Sequence, residues 1–187
     1  MNNKASFGGG IENGGTLTVT NITFVSNKAT YGGGIDNSLA LSLTNSTFAS
    51  NTASTGTGVY NTNALTMTNT IIASSAGHDC VNDGTILSGT HNLIKSTGAN
   101  ACNLTNGAKG NLIGVDPMLG PLALNGNGGA TLTLAPLPGS PAINTGDNAE
   151  CPAFDQRGAP RPLGGTCDIG AVESLIWPWA YLPLALK

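Results

Sequence analysis

The sequence predicts an all-β fold: a single-stranded right-handed parallel β-helix of about 24 residues per coil, with an irregular C-terminal cap. Three observations carry that expectation. A 24-residue unit recurs without insertion or deletion, apolar residues alternate with Thr and Ser inside it, and Gly and Asn mark its corners.

The repeat is read by direct comparison. Asn3-Lys4-Ala5-Ser6-Phe7-Gly8-Gly9-Gly10-Ile11-Glu12-Asn13 returns 24 positions later as Asn27-Lys28-Ala29-Thr30-Tyr31-Gly32-Gly33-Gly34-Ile35-Asp36-Asn37, and more weakly from Asn51 to Asn61. The second half keeps the step: Leu17-Thr18-Val19-Thr20-Asn21, Leu41-Ser42-Leu43-Thr44-Asn45, then Leu65-Thr66-Met67-Thr68-Asn69. Phe24, Phe48 and Ile72 follow at the same spacing. Side chains alternate across a strand, so Leu17 and Val19 are expected inside and Thr16, Thr18 and Thr20 outside. A unit of 24 residues is too short for a βαβ crossover, which needs roughly 30. It suits three short strands separated by Gly or Asn corners, where positive φ is cheap.

Stacking rungs about 4.8 Å apart turns each repeat position into a column. Ile11/Ile35/Val59, Leu17/Leu41/Leu65, Val19/Leu43/Met67 and Phe24/Phe48/Ile72 are expected as apolar ladders filling the coil. Asn13/Asn37/Asn61 and Asn21/Asn45/Asn69 are expected as amide ladders at the corners.

The regular coils are read over residues 1–78. Asn3 aligns with a late position of the unit, so further coils, a cap and an export signal are expected upstream. Residues 79–115 read as irregular coils with longer loops, with strands at Val81, at Ile86 and Leu87, at Asn92-Leu93-Ile94 and at Asn111-Leu112-Ile113. Residues 116–175 hold prolines at 117, 121, 136, 138, 141, 152, 160 and 162, which argue against central strands. That stretch is expected to pack over the last rung. The tail 176–187, with Trp177, Trp179 and Tyr181, is apolar but short and proline-broken, below the ~20 apolar residues of a membrane span.

The four cysteines, Cys80, Cys102, Cys151 and Cys167, form no CxxC pair, so a zinc framework is not expected. Two local disulfides, Cys80–Cys102 and Cys151–Cys167, are the preferred pairing in an oxidising compartment, although four cysteines allow three connectivities and free thiols remain an alternative.

The motifs Gly9-Gly10-Ile11 with Phe24-Val25-Ser26-Asn27, and Gly33-Gly34-Ile35 with Phe48-Ala49-Ser50-Asn51, resemble polymorphic outer membrane protein repeats, with Gly where those repeats carry Ala. The third copy departs further, as Gly56-Thr57-Gly58-Val59 and Ile72-Ala73-Ser74-Ser75. The rest is similar to the C-terminal region of bacterial choice-of-anchor Q β-helix proteins. The residues are Asn127-Gly128-Gly129-Ala130-Thr131, Gly139-Ser140-Pro141-Ala142-Ile143, Asp155-Gln156-Arg157-Gly158, Arg161-Pro162 and Cys167-Asp168-Ile169-Gly170-Ala171-Val172-Glu173. The resemblance implies an exported, extracellular or cell-surface bacterial protein. It supplies no reaction.

Only 9% of residues are charged and the formal net charge is −3. The seven basic residues are scattered, which excludes a nucleic-acid footprint. Glycine-rich runs lack the Lys-Ser/Thr ending of a phosphate loop. Gly32-Gly33-Gly34-Ile35-Asp36 has the wrong period for a calcium-binding nonapeptide.

Parallel β-helices also host polysaccharide lyases and hydrolases. Glu12 and Asp36 share a repeat column, near the separation of about 5–5.5 Å used by retaining glycosidases. They are the only catalytic candidates, weighed against two solvated acids on an outward face. His78-Asp79-Cys80, with His91 the only other histidine, reads as a loop entering a disulfide rather than a triad or metal site. Asp155, Arg157, Arg161 and Asp168 are expected to form ion pairs in the cap. No metal or cofactor is expected. The functional expectation is a monomeric adhesin-like or structural protein whose partners are glycans or cell-surface components. The alternative is a carbohydrate-active enzyme.

Overall fold

The computed structural model describes residues 1–74, 77–126 and 131–174; the expectations for Ser75, for Asn127-Gly128-Gly129-Ala130 and for the tail 176–187 lie outside them. It is an all-β parallel solenoid. The first coil supplies β1 (Ile11–Asn13), β2 (Thr16–Thr20) and β3 (Thr23–Val25). The second supplies β4 (Ile35–Asn37), β5 (Ala40–Thr44) and β6 (Thr47–Ala49). The third supplies β7 (Val59–Asn61), β8 (Ala64–Thr68) and β9 (Ile71–Ala73). Then follow β10 (Cys80–Asn82), β11 (Thr85–Thr90), β12 (Leu93–Ile94) and β13 (Leu112–Ile113). Three sheets result, β1-β4-β7-β10, β2-β5-β8-β11 and β3-β6-β9-β12-β13, and every strand pair is parallel.

The register matches the columns read from the repeat. Ile11 pairs with Ile35 and Ile35 with Val59; Leu17 with Leu41 and Leu41 with Leu65; Phe24 with Phe48 and Phe48 with Ile72. These side chains form one continuous core, in which Ile35, Leu43, Phe48, Val59, Leu65, Met67 and Ile72 are fully buried. The rings of Phe24 and Phe48 stack with centroids 4.6 Å apart.

Two glycine columns make this packing possible. Gly8, Gly32 and Gly56 turn the chain with φ between +54° and +63°, a region that L side chains avoid. Gly10, Gly34 and Gly58 lie under the large side chains: a Cβ on Gly34 would sit 2.5 Å from Phe48 Cδ1, and one on Gly58 2.2 Å from Ile72 Cγ2.

The amide ladders divide. Asn13 donates to Asn37 Oδ1 (2.6 Å), Asn37 to Asn61 (2.5 Å) and Asn61 to Asn82 (2.5 Å), so this column runs one coil further than the strict repeat. A second ladder, Asn3 to Asn27 to Asn51, was not singled out in the sequence. The column Asn21/Asn45/Asn69 differs from expectation. Asn69 bonds Asn45 at 3.2 Å, but Asn21 donates instead to the Phe154 carbonyl. All three residues have φ between +43° and +56°, which swings their amides outward, where C-terminal carbonyls capture them.

Beyond residue 78 the step between stacked positions shortens, while the connection from β12 to β13 is longer than those of the regular coils. Thr68 faces Thr90 at a separation of 22, and Asn92 bonds Asn111 at 19. Thr85 pairs with Ala64 and Ile86 with Leu65, and one extra residue, Leu87, then bulges out before Ser88 pairs with Thr66, which leaves Leu87 67% exposed.

The C-terminal segment is irregular, as expected, and differs from expectation in where it packs. It lies along the outer face of the third sheet, not over the last rung. Ile71 and Leu93 pack against Ala142 and Ile169, while Val25 and Ala49 pack against Leu134. Thr23 Oγ1 bonds Gln156, and the Ala171 N–H donates to Thr47 Oγ1. The segment is thus a strap running from the fourth coil back to the first. The end of the core is met instead by Ala101 and Cys102, both buried, with Leu104 packed beside them. Adjacent apolar pairs explain the difference: Phe24-Val25, Ile71-Ile72 and Leu93-Ile94 present apolar side chains to both faces of one sheet, and both must be covered.

Candidate functional site

Three outer faces follow from the three sheets. The third is covered by the strap. The second carries rows of small side chains, Thr16/Ala40/Ala64/Thr85 and Thr18/Ser42/Thr66/Ser88, without a charged residue. The first carries the chemistry.

On that face Glu12, Asp36 and Tyr60 lie in register on β1, β4 and β7. Ile35 points into the core, so strand alternation turns Asp36 outward. Glu12 is exposed, whereas Asp36 is only 8% exposed. Burial pushes the Asp36 carboxyl above its ordinary value, and the Glu12 charge adds to the rise. Beside them runs an aromatic row. Phe7 and Tyr31 stack at 5.6 Å, and Tyr31 and Tyr60 meet at 5.4 Å with their planes tilted by 32°. The Tyr60 hydroxyl donates to Asp83 Oδ2 at 2.8 Å, which pushes its pKa up to about 12. Asp83 and the aromatic row were not foreseen as members of this site, although Phe7 and Tyr31 occupy equivalent positions of the repeat.

The other candidates are structural. Asp79 is fully buried and accepts the backbone N–H groups of Ser74 (2.7 Å) and Ser96 (2.8 Å), closing the turn into β10. Burial pushes its carboxyl up, against the pull of those bonds. Cys80 is disulfide-bonded to Cys102, and Cys151 to Cys167, the preferred pairing. His91 faces Asp147 at 3.9 Å, far in sequence from the His78 turn. No cluster of three His, Cys, Asp or Glu side chains suited to a metal occurs among the described residues.

The expected ion pairs exist in altered form. Both Nε and Nη2 of Arg157 donate to Asp155 Oδ2, at 2.9 and 2.7 Å. Arg161, however, faces Glu173 at 3.5 Å and bonds the carbonyls of Asp168 and Gly170 rather than the Asp168 carboxylate. That carboxylate instead accepts the N–H groups of Asn144 and Ser174. These groups are buried inside the strap, where they fix its turns and offer no surface to a ligand.

No helix among the described residues is long and apolar enough to cross a membrane. No protein-family model, no curated protein and no solved structure matches the chain.

Proposed function

We propose that the chain forms an exported, cell-surface or secreted β-helix that acts as an adhesin-like or structural element, with glycans or cell-surface components as partners and a monomer as the working unit. One observation carries the reading: two open sheet faces run along the coil axis, one with rows of small Thr, Ser and Ala side chains over four coils and one with Glu12, Asp36 and the rings of Phe7, Tyr31 and Tyr60 over three. Such faces suit an extended ligand. Two disulfides fit an oxidising compartment outside the cytosol. The resemblance to polymorphic outer membrane protein repeats and to choice-of-anchor Q proteins supports the same location.

A second reading, a carbohydrate-active enzyme, is favoured by the in-register Glu12–Asp36 pair, one carboxyl raised and its neighbour exposed. A panel of insoluble and soluble polysaccharides separates the two. Retention of the chain without new reducing ends or unsaturated products is the expected result. Turnover that disappears in Asp36→Asn would replace the first reading by the second.

A further inference from the structure

Asp36 is unlike the other buried acids. Asp79, Asp155, Asp168 and Glu173 each accept at least two N–H groups. Asp36 is 8% exposed, yet its carboxylate takes part in no hydrogen bond or ion pair among the described residues. Its register neighbour is a second acid, Glu12, which repels it. The Asp36 oxygens still reach solvent, so the carboxylate is open to a ligand, and the repulsion between the two acids is relieved when a counter-charge arrives.

We propose that this face binds an ammonium group carried by a glycan, an amino sugar with its amine free, seated between Asp36 and Glu12 against the Tyr31 and Tyr60 rings. The proposal rests on the glycan-binding reading above and names the ligand class. An ammonium ion brings three donors and a compact charge, and aromatic surface beside the acids strengthens its capture. Calcium fits worse, since it takes six to eight oxygens, and the described residues assemble no set of three acidic or imidazole ligands.

Two features favour a glycan over a lysine-bearing peptide. Glu12 and Asp36 on adjacent rungs, with the rings of Phe7, Tyr31 and Tyr60 5.6 and 5.4 Å apart beside them, make a strip along the coil axis for a stiff linear polymer. An extended peptide binds sheets by pairing its backbone with an edge, and a face offers no backbone donors. The rings of Phe7 and Tyr31, 47% and 36% exposed, provide apolar contact for a pyranose beside the charge.

The test is a titration at low salt with glucosamine oligomers, N-acetylglucosamine oligomers of equal length, and oligolysine. Saturable binding of the free-amine glycan is expected, weakened roughly tenfold or more by acetylation or by Asp36→Asn, the scale of one charge-assisted hydrogen bond. Asp116→Asn, an exposed acid paired with Lys95 elsewhere, should leave binding unchanged. Because the Asp36 carboxylate has no hydrogen-bond partner among the described residues and is repelled by Glu12, Asp36→Asn should also melt no lower than the parent, which separates lost binding from lost folding. Equal binding of the acetylated oligomer would overturn the ammonium assignment while keeping the glycan reading. Equal or tighter binding of oligolysine would overturn the glycan part. Binding of none of the three overturns the proposal, and retention on the polysaccharide panel then decides whether the broader reading survives.

Discussion

Asn37 donates its side-chain amide to Asn61 Oδ1 across one full coil, and neither side chain is exposed. The same amide also donates to the carbonyls of Leu39 and Ala64, while Asn37 Oδ1 accepts from Asn13. Alanine at this position strands a buried donor and several acceptors at once. Each buried group left unsatisfied costs about 1–3 kcal/mol. Urea unfolding of Asn37→Ala should therefore show a loss of about 3 kcal/mol or more. A loss under about 1 kcal/mol would mean that water replaces the ladder. Asn37→Asp should be worse still, since it sets a charge against Asn61 Oδ1.

Gly34 supplies a second test. A methyl group there meets Phe48 Cδ1 at 2.5 Å and the Gly58 carbonyl oxygen at the same distance. Overpacking of this kind costs about 1–3 kcal/mol. In a double-mutant cycle, Phe48→Leu should recover part of the Gly34→Ala loss. Strict additivity of the two substitutions would show that the carbonyl contact, not the ring, sets the requirement for glycine.

The coil was legible because identical columns recur at 24 residues, from Leu17 to Leu41 to Leu65. The strap was not. Its contacts join residues far apart in sequence, such as Asn21 with Phe154 and Asn69 with Asp147 at a separation of 78, and no local periodicity encodes them. A signal did exist in the paired apolar residues of the third sheet. The ionic network was half visible: the Asp155-Gln156-Arg157 spacing places a carboxylate and a guanidinium on one turn, whereas Glu173 reaches Arg161 only through the folded strap. Glu12 and Asp36 could be placed in one column from the repeat. That Asp36 would be buried without a partner could not, because its exposure depends on side chains from neighbouring rungs.

Asp155 sets an acid limit on the strap. Burial alone would raise its carboxyl, but bonds from the Arg157 guanidinium and from the N–H groups of Glu173 and Ala159 hold it below the ordinary 3.8. A depressed folded-state pKa gives stability that is present above 3.8 and lost as pH falls through the folded value. Asp168 and Glu173 act in the opposite sense. Burial raises both, so their contribution is full below their ordinary values of 3.8 and 4.5 and is lost as pH rises through the raised ones. Asp155→Asn should cost about 3–5 kcal/mol at neutral pH, because Arg157 loses its buried counter-charge. The gap from the parent should narrow once pH drops under 3.8. A gap that stays constant down to strongly acid pH would remove the ion pair from the account.

The strap should also open without the coil. Ile169 is fully buried against Ile71, Leu93 and Ala142, whereas the core that holds Leu43 and Leu65 is a separate cluster. Ile169→Ala removes three carbons from a packed site, a change worth about 2–5 kcal/mol. That loss falls on contacts between strap and third sheet and leaves the ladders of the interior intact. Hydrogen exchange should then quicken at the Ile169 and Ala171 amides, which donate to Ala142 and Thr47, while the amides of β5 and β8 keep their protection. Limited proteolysis should cut within residues 131–174 first. If β5 and β8 exchange faster by the same factor, strap and coil unfold as one unit, and the strap is then part of what holds the solenoid together rather than a cover laid on its flank.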